Sequence, residues 1–179
     1  MSLTLPVSIG EALDKFSILD IKLENIKDNR RDDVLLEYTL LQEILNPYLK
    51  SYDLLYKLIK VINKKIWDLL TDQRKDDLSV EMYALISKRV VEENDARFRT
   101  KDKINLISKS IIKEKKGYDL MTKDVVIEET EFSKIIFEIL KESVYCDVIN
   151  VKFAYEIDSN LLEKIKQNFS YDKSVKFEN

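Results

Sequence analysis

Apolar residues recur at intervals of three and four along the first two thirds of the chain, which is the spacing of one face of an α-helix. A first helix is predicted from Ser8 to about Lys27, because Ser8 and Glu11 match a capping box. A second helix is predicted from Asp33 to Leu45. It should end at Asn46-Pro47, since the residue before a proline disfavours helical geometry.

The third and fourth predicted helices exceed the average helix length of about 11–12 residues. The third helix is predicted from about Tyr52 to Arg74 and contains a heptad-like apolar seam. The fourth is predicted from Ser79 to Gly117. Long helices bury their apolar faces most simply against neighbours that run in the opposite direction. The pattern therefore predicts a mainly α fold, with an antiparallel helical bundle of long helices.

Polar residues interrupt the apolar face of the fourth helix near its middle. Stepping along that face leads from Val90 to Asn94, Arg97 and Lys101 before it reaches Ile104. The apolar positions of the face are Val80, Tyr83, Ile86 and Val90 before the break, and Ile104, Ile111 and Ile112 after it. A buried charge is costly unless it is paired and hydrogen-bonded, so this break is the best candidate site in the sequence.

Three interpretations of the polar break remain open. The amide and the two cations could converge on an anionic ligand in a helical pocket that contains little water. They could instead pair with carboxylates of other helices and fix the register of packing, or the face could emerge into solvent. The candidate partners are Asp14, Asp20, Glu24, Asp68 and Asp72.

The periodicity changes in the last third of the chain. Apolar and polar residues alternate from Ile149 to Ile157, which predicts a strand. A last strand is predicted at 174–177, and helices are predicted at 131–143 and after Asp158. Residues 124–128 form a short apolar patch with β-branched residues. The sequence therefore predicts a helical domain over residues 1–117 and a small C-terminal α/β appendage over residues 118–179.

The residue types that the chain lacks exclude several classes of site. With no histidine, there is no histidine triad and no zinc site with histidine ligands. The two glycines, Gly10 and Gly117, are too far apart for a phosphate-binding loop. Asp14 and Glu24 lie nearly three helical turns apart, about 15 Å along the axis, which is too far for an acid–base pair. We therefore assign no catalytic residue, metal or cofactor, and leave open whether the protein is an enzyme.

The charge distribution makes nucleic acid an unlikely partner. The net charge is −3, and no apolar run approaches the ~20 residues of a membrane span. Eight basic and two acidic residues lie between Arg97 and Lys116, but the bases spread around the helix and Phe98 is the only aromatic residue among them. The lone cysteine, Cys146, is typical of a reducing compartment, so we expect a cytoplasmic protein with no membrane partner.

Spaced residues over about positions 6–118 resemble a family of small uncharacterised helical proteins of bacteria and marine viruses. That family is classed only as a domain of unknown function. The matching positions are Pro6-Val7-Ser8-Ile9-Gly10-Glu11, Asp14-Lys15, Ile18-Leu19, Ile21-Lys22, Glu24, Asn63, Trp67, Arg74, Asn94-Asp95-Ala96-Arg97, Lys101, Ile104-Asn105, Glu114-Lys115 and Tyr118. Such proteins are sometimes encoded near glycosyltransferases of surface-polysaccharide pathways, which suggests a context but not a mechanism.

A weaker local likeness is to the all-helical chorismate mutases. The apolar pattern from Leu58 to Leu70, followed by Arg74, is similar to the first long helix of those enzymes. Where that family has an earlier arginine this sequence has Lys57, which keeps the charge but loses the planar fork, and Asn63 replaces a usual acidic residue. That reaction surrounds a dianion with cations in a dry helical pocket, so the likeness implies an anionic ligand.

Together, these observations predict a non-enzymatic helical binding or assembly module that forms a homodimer. The resemblance alone implies an accessory role in carbohydrate or envelope biosynthesis. The alternative is a small enzyme or ligand-binding protein that acts on an anionic metabolite through Arg97 and Lys101. The residues expected to form a ligand site or a buried polar network are Asn94, Arg97, Lys101, Asn63, Asp14, Lys15, Glu11, Lys22 and Glu24.

Overall fold

The structure is a computed structural model that describes residues 5–112, 114, 117 and 120–178. The chain divides into two compact units, Met1–Glu114 and Lys115–Asn179. It is mainly helical, and the second unit contains a small three-stranded parallel sheet. The predicted fold class is confirmed at this level, whereas the two domains stay a prediction.

Four helices make up the described part of the first unit. They are α1 (Ile9–Asn25), α2 (Arg30–Ser51), α3 (Asp53–Gln73) and α4 (Val80–Ile107). Helix α1 contacts the other three, and α3 packs along α4. The core consists of almost completely buried side chains such as Leu13, Phe16, Ile59, Ile62 and Ile104. The N-cap of α1 is confirmed, since the hydroxyl of Ser8 accepts a hydrogen bond from the main-chain N–H of Glu11 at 3.1 Å.

Helix α2 continues through Pro47, although the sequence predicted that it would end there. A proline inside a helix removes one main-chain hydrogen bond and crowds the preceding turn. Here Leu45 before the proline is buried, and Leu49 after it lines a pocket beside Phe16. The helix continues in spite of this local cost, with Leu45 packed into the core, and a single residue, Tyr52, separates α2 from α3.

Helix α4 ends at Ile107, ten residues before the predicted end at Gly117. The chain leaves the helix in a Schellman motif, in which the N–H of Ser110 donates to the carbonyl of Asn105 at 2.9 Å. Lys109 occupies the left-handed position of that motif, with φ of 53°. Glycine usually fills this position, and because lysine fills it here, the sequence does not mark the end of the helix. The predicted end at Gly117 is therefore wrong.

Two parts of the predicted apolar face of α4 are exposed. Val80 and Tyr83, in the first turns, are 81% and 53% exposed, so Ile86 is the first buried residue of that face. Ile111 and Ile112 lie beyond the helix and are also exposed. The face is therefore buried only along the middle and the last turns of α4.

Replacing Lys109 with glycine is expected to stabilise the protein by about 0.5–1 kcal/mol, because glycine adopts a positive φ without the steric cost of a Cβ. Urea unfolding would measure the change. Ser108→Gly is the matched control, since Ser108 has an ordinary φ of −75° and should lose stability instead. Loss of stability in both variants would contradict the prediction.

The second unit alternates strands and helices. Its described elements are β1 (Thr122–Ile127), α5 (Phe132–Ser143), β2 (Val148–Phe153), α6 (Ser159–Asn168) and β3 (Val175–Phe177). The strand order is β1-β2-β3, and both pairs are parallel. Ile127 pairs with Phe153, so β2 ends where its neighbour ends, four residues before the predicted end at Ile157.

No helix within residues 5–112 and 120–178 combines the length and the hydrophobicity that crossing a bilayer requires.

Candidate functional site

Asp14 is the centre of a polar network that joins α1, α3 and α4. Its side chain is completely buried. The guanidinium of Arg97 donates to both carboxylate oxygens, with Nη2 2.6 Å from Oδ2 and Nε 2.9 Å from Oδ1. Charge-assisted contacts of this two-point kind are strong and fix the orientation of both groups. Asp14 is thus the partner of Arg97 among the five carboxylates that the sequence proposed.

Asn63 and Ser17 complete the hydrogen bonds around Asp14. The Nδ2 atom of Asn63 donates to Oδ1 of Asp14 at 2.8 Å and to the hydroxyl of Ser17 at 2.7 Å. That hydroxyl donates in turn to the main-chain carbonyl of Asp14 at 2.7 Å. Because Asp14, Asn63 and Ser17 are all buried, the network is well placed to hold the three helices in one register.

Lys101, one turn after Arg97 on α4, lies in a second ionic cluster. Its Nζ atom donates to Glu11 and to Glu114, in each case at 2.8 Å from Oε2. Burial acts to lower the pKa of Lys101, but the hydrogen bonds and charges of the two glutamates outweigh it and raise the pKa. Lys101 therefore keeps its charge at neutral pH and is held by carboxylates of its own unit.

The start of α1 crosses α4 at Gly10. The main-chain N–H of Gly10 donates to Oδ1 of Asn105 at 2.8 Å in a buried position. A Cβ atom on Gly10 would lie 2.5 Å from the main-chain oxygen of Lys101, so a larger residue would force the two helices apart. This close approach requires glycine, and it brings Glu11 within reach of Lys101.

Asn94, Lys15 and Lys22 do not join the network around Asp14. The side chain of Asn94 donates to the main-chain carbonyl of Val90 at 2.9 Å, within α4. Lys15 projects from the exposed side of α1 and pairs with Glu37. Lys22 is half-buried and makes no ion pair with the residues that the structure describes. Helical spacing defines a face, but it does not tell which neighbour lies opposite.

Glu24 belongs to a separate cluster farther along α1. Lys60 of α3 lies 2.9 Å from Glu24 and 3.1 Å from Asp20. The hydroxyl of Tyr56 also donates to Asp20, at 2.7 Å. Burial raises the pKa of Tyr56, and the hydrogen bond to Asp20 raises it further, so this hydroxyl remains a donor. This cluster fixes α1 against α3 independently of Asp14.

Sequence reasoning did not assign Ser17 and Glu114 to the site. Ser17 lies about one turn after Asp14 on the same flank of α1, so helical spacing could have indicated it. Glu114 lies seven residues beyond the end of α4 and reaches Lys101 from the segment after the helix. No periodic pattern predicts such a contact.

A cavity of about 410 Å³ lies beside Lys101, between the start of α1 and the last turns of α4. Its lining combines apolar side chains with carboxylates: Val7, Phe98, Ile112, Glu11, Asp102 and Glu114. The Oδ1 atom of Asp102 is buried and has no hydrogen-bond partner among the described residues. With three carboxylates and one ammonium group, the described lining is acidic, which favours a ligand with N–H donors over an anion.

The basic run between Arg97 and Lys116 is divided between different environments. Arg97 and Lys101 are paired with carboxylates, and Lys103 is buried. Three lysines of the run lie outside the described residues: Lys113, Lys115 and Lys116. Lys115 also belongs to the family pattern, and Tyr118 of that pattern lies outside the described residues as well. Among the residues described, no group of three or more Asp, Glu or Cys side chains could hold a metal ion.

Comparison of the chain with protein-family models, with curated proteins and with solved structures finds no match. The resemblances to a domain of unknown function and to the chorismate mutases therefore stay predictions. Lys57, which stands at the earlier arginine position of the chorismate mutases, is exposed and pairs with Asp53 at 2.7 Å. The functional conclusion rests on the geometry of the site.

Proposed function

We propose that the first unit is an antiparallel helical bundle that acts as a non-enzymatic binding and assembly module and forms a homodimer. The pairing of Arg97 with Asp14, and of Lys101 with Glu11 and Glu114, carries the proposal. An anion-binding site needs cations that are free to meet the ligand. Here two cations already face three carboxylates, which supports a network that fixes helix packing.

Contacts between α3 and α4 support the antiparallel arrangement. Lys65 lies 3.2 Å from Glu93, and the side chain of Gln73 donates to Ser87 at 2.7 Å. Later positions of α3 thus meet earlier positions of α4. Residues 74–79 form the short connection that such a pair of helices needs.

The exposed surface of α2 supports self-association. This helix has 22 residues, yet Leu45 is its one fully buried side chain among the residues described. Large apolar side chains remain exposed on it, and contiguous apolar surface on a helix is typical of a protein contact. A non-enzymatic module of this kind would act through such surfaces.

The purified protein is expected to have twice the mass of one chain in solution. Light scattering coupled to size-exclusion chromatography, supported by sedimentation equilibrium across the micromolar range, would measure the mass. A single-chain mass throughout that range would overturn the proposed homodimer.

A second candidate is the binding of a small molecule in the cavity beside Lys101. The acidic lining favours a ligand that carries an amine, as does Oδ1 of Asp102, which has no hydrogen-bond partner in the described part of the chain. The anionic metabolite held by Arg97 and Lys101 stays a prediction, as do the cytoplasmic location and the link to carbohydrate or envelope biosynthesis. A thermal-shift comparison of amines with anionic metabolites separates the two ligand classes, because only a bound ligand raises the melting temperature.

A further inference from the structure

We propose that the outward face of α2 is the surface on which a second copy of this chain docks, with the two α2 helices antiparallel across a two-fold axis. This inference rests on the proposed homodimer and names its interface. The apolar residues along α2 and the charges at the two ends of the helix support this interface.

The apolar residues form one continuous row. Leu36, Leu40, Ile44 and Tyr48 follow each other at every fourth position, so each lies about one turn from the next. Their side chains are 64%, 59%, 66% and 37% exposed. Leu45, which lies beside this row on the helix, is the residue that packs into the core. Helix α2 is therefore apolar on two sides, of which its own unit covers one.

The charges at the ends of α2 are complementary and unused. Asp32 and Asp33 follow Arg30 and Arg31 in the first turn, and Lys50 lies in the last turn. The two aspartates and the lysine are exposed, and none of these three has an ion-pair partner among the residues described. Asp32 and Lys50 are 18 positions apart, about five full turns, so they lie on the same side of the helix.

A two-fold axis brings these charges together. In an antiparallel pair, the first turn of one α2 faces the last turn of the other, so Asp32 meets Lys50 of the second copy. The same contact forms twice, and its centre falls next to Leu40, in the middle of the apolar row. A parallel pair would instead place like charges opposite each other.

This self-complementarity favours a second copy over an unrelated protein. A different partner would have no need for the two ends of one helix to match each other in charge. Opposed helix dipoles add to the preference for the antiparallel pair, because the positive N-terminal end of each α2 then lies beside the negative C-terminal end of its neighbour.

The apolar contribution is tested with Leu40→Glu, which places a charge at the centre of the row. The expected result is loss of the dimer at concentrations at which the unaltered protein is dimeric. The melting temperature of the variant should equal that of the unaltered protein at a dilution at which both are single chains. Val61→Glu is the matched control, since Val61 is a similarly exposed apolar residue on α3. It should leave the dimer intact.

The orientation is tested by reversing the charges. Asp32→Lys and Lys50→Asp, made separately, should each weaken the dimer by about tenfold at low ionic strength, because each places like charges opposite one another. The double variant should recover dimerisation. A mixture of the two single variants should form a heterodimer, because both of its cross-chain pairs are then of opposite sign.

The outcomes separate this inference from the proposed function. If the unaltered protein is a single chain, the homodimer and its interface both fail. If the unaltered protein is a dimer and Leu40→Glu leaves that dimer intact, the homodimer stands but the α2 interface is overturned. The apolar row of α2 would then bind a different partner. If Leu40→Glu abolishes the dimer but the charge-reversed variants do not combine, the antiparallel pairing is overturned.

Discussion

Replacing Asp14 with asparagine is expected to destabilise the protein by about 3–5 kcal/mol, because Arg97 then loses its counter-charge at a largely buried position. Asparagine keeps the shape of the side chain, so packing changes little and the loss reports on the charge. Urea unfolding followed by circular dichroism would measure it.

The control for Asp14 is the neighbouring residue on α1. Lys15 pairs with Glu37 at an exposed position, and Lys15→Gln should cost at most about 1 kcal/mol. Adding Arg97→Met to Asp14→Asn should recover part of the lost stability, since it removes the unpaired cation. Equal small effects for the Asp14 and Lys15 variants would refute a structural role for the network.

Gly10→Ala is expected to lower stability by about 2–4 kcal/mol. The added Cβ would lie 2.5 Å from the main-chain oxygen of Lys101 and 2.8 Å from Oδ1 of Asn105. A main-chain oxygen cannot rotate away, so α1 must shift, and the buried hydrogen bond from Gly10 to Asn105 is strained or lost. The midpoint of thermal or urea unfolding would measure the effect.

The second glycine provides the matched control for this variant. No atom of the described residues lies within 4 Å of the position that a Cβ on Gly117 would occupy. Gly117→Ala should therefore change stability by no more than about 0.5 kcal/mol. If Gly10→Ala unfolds at the same urea concentration as Gly117→Ala, the close crossing of α1 and α4 is wrong.

The need of Arg97 for a counter-charge could be read from the sequence, which gave Asp14 as one of five candidate partners. An apolar face that contains Arg97 requires a counter-charge, and the carboxylates on facing helices are few. The same reasoning identified a need for pairing at Lys101. It did not find Glu114, because that residue follows the helix and its position depends on the path of the chain after Ser108.

The errors at Pro47 and Lys109 share one cause. Sequence rules describe local preference, and here interactions beyond the local sequence outweigh it. Leu45 is buried in the core two residues before Pro47, and the helix continues where proline disfavours it. The Schellman hydrogen bonds hold Lys109 at a positive φ that lysine rarely adopts, and α4 ends where no glycine marks the end.

The contacts of α1 with α4 also determine when this unit can complete its fold during synthesis. Asp14 and Arg97 are 83 residues apart, Glu11 and Lys101 are 90, and Gly10 and Asn105 are 95. Because α1 is translated before α4, its acidic residues Glu11 and Asp14 have no basic partner on α4 until nearly the whole unit has been translated. The contacts of α1 with α2 and α3 can form earlier, so the buried carboxylate of Asp14 meets its counter-charge in a late step.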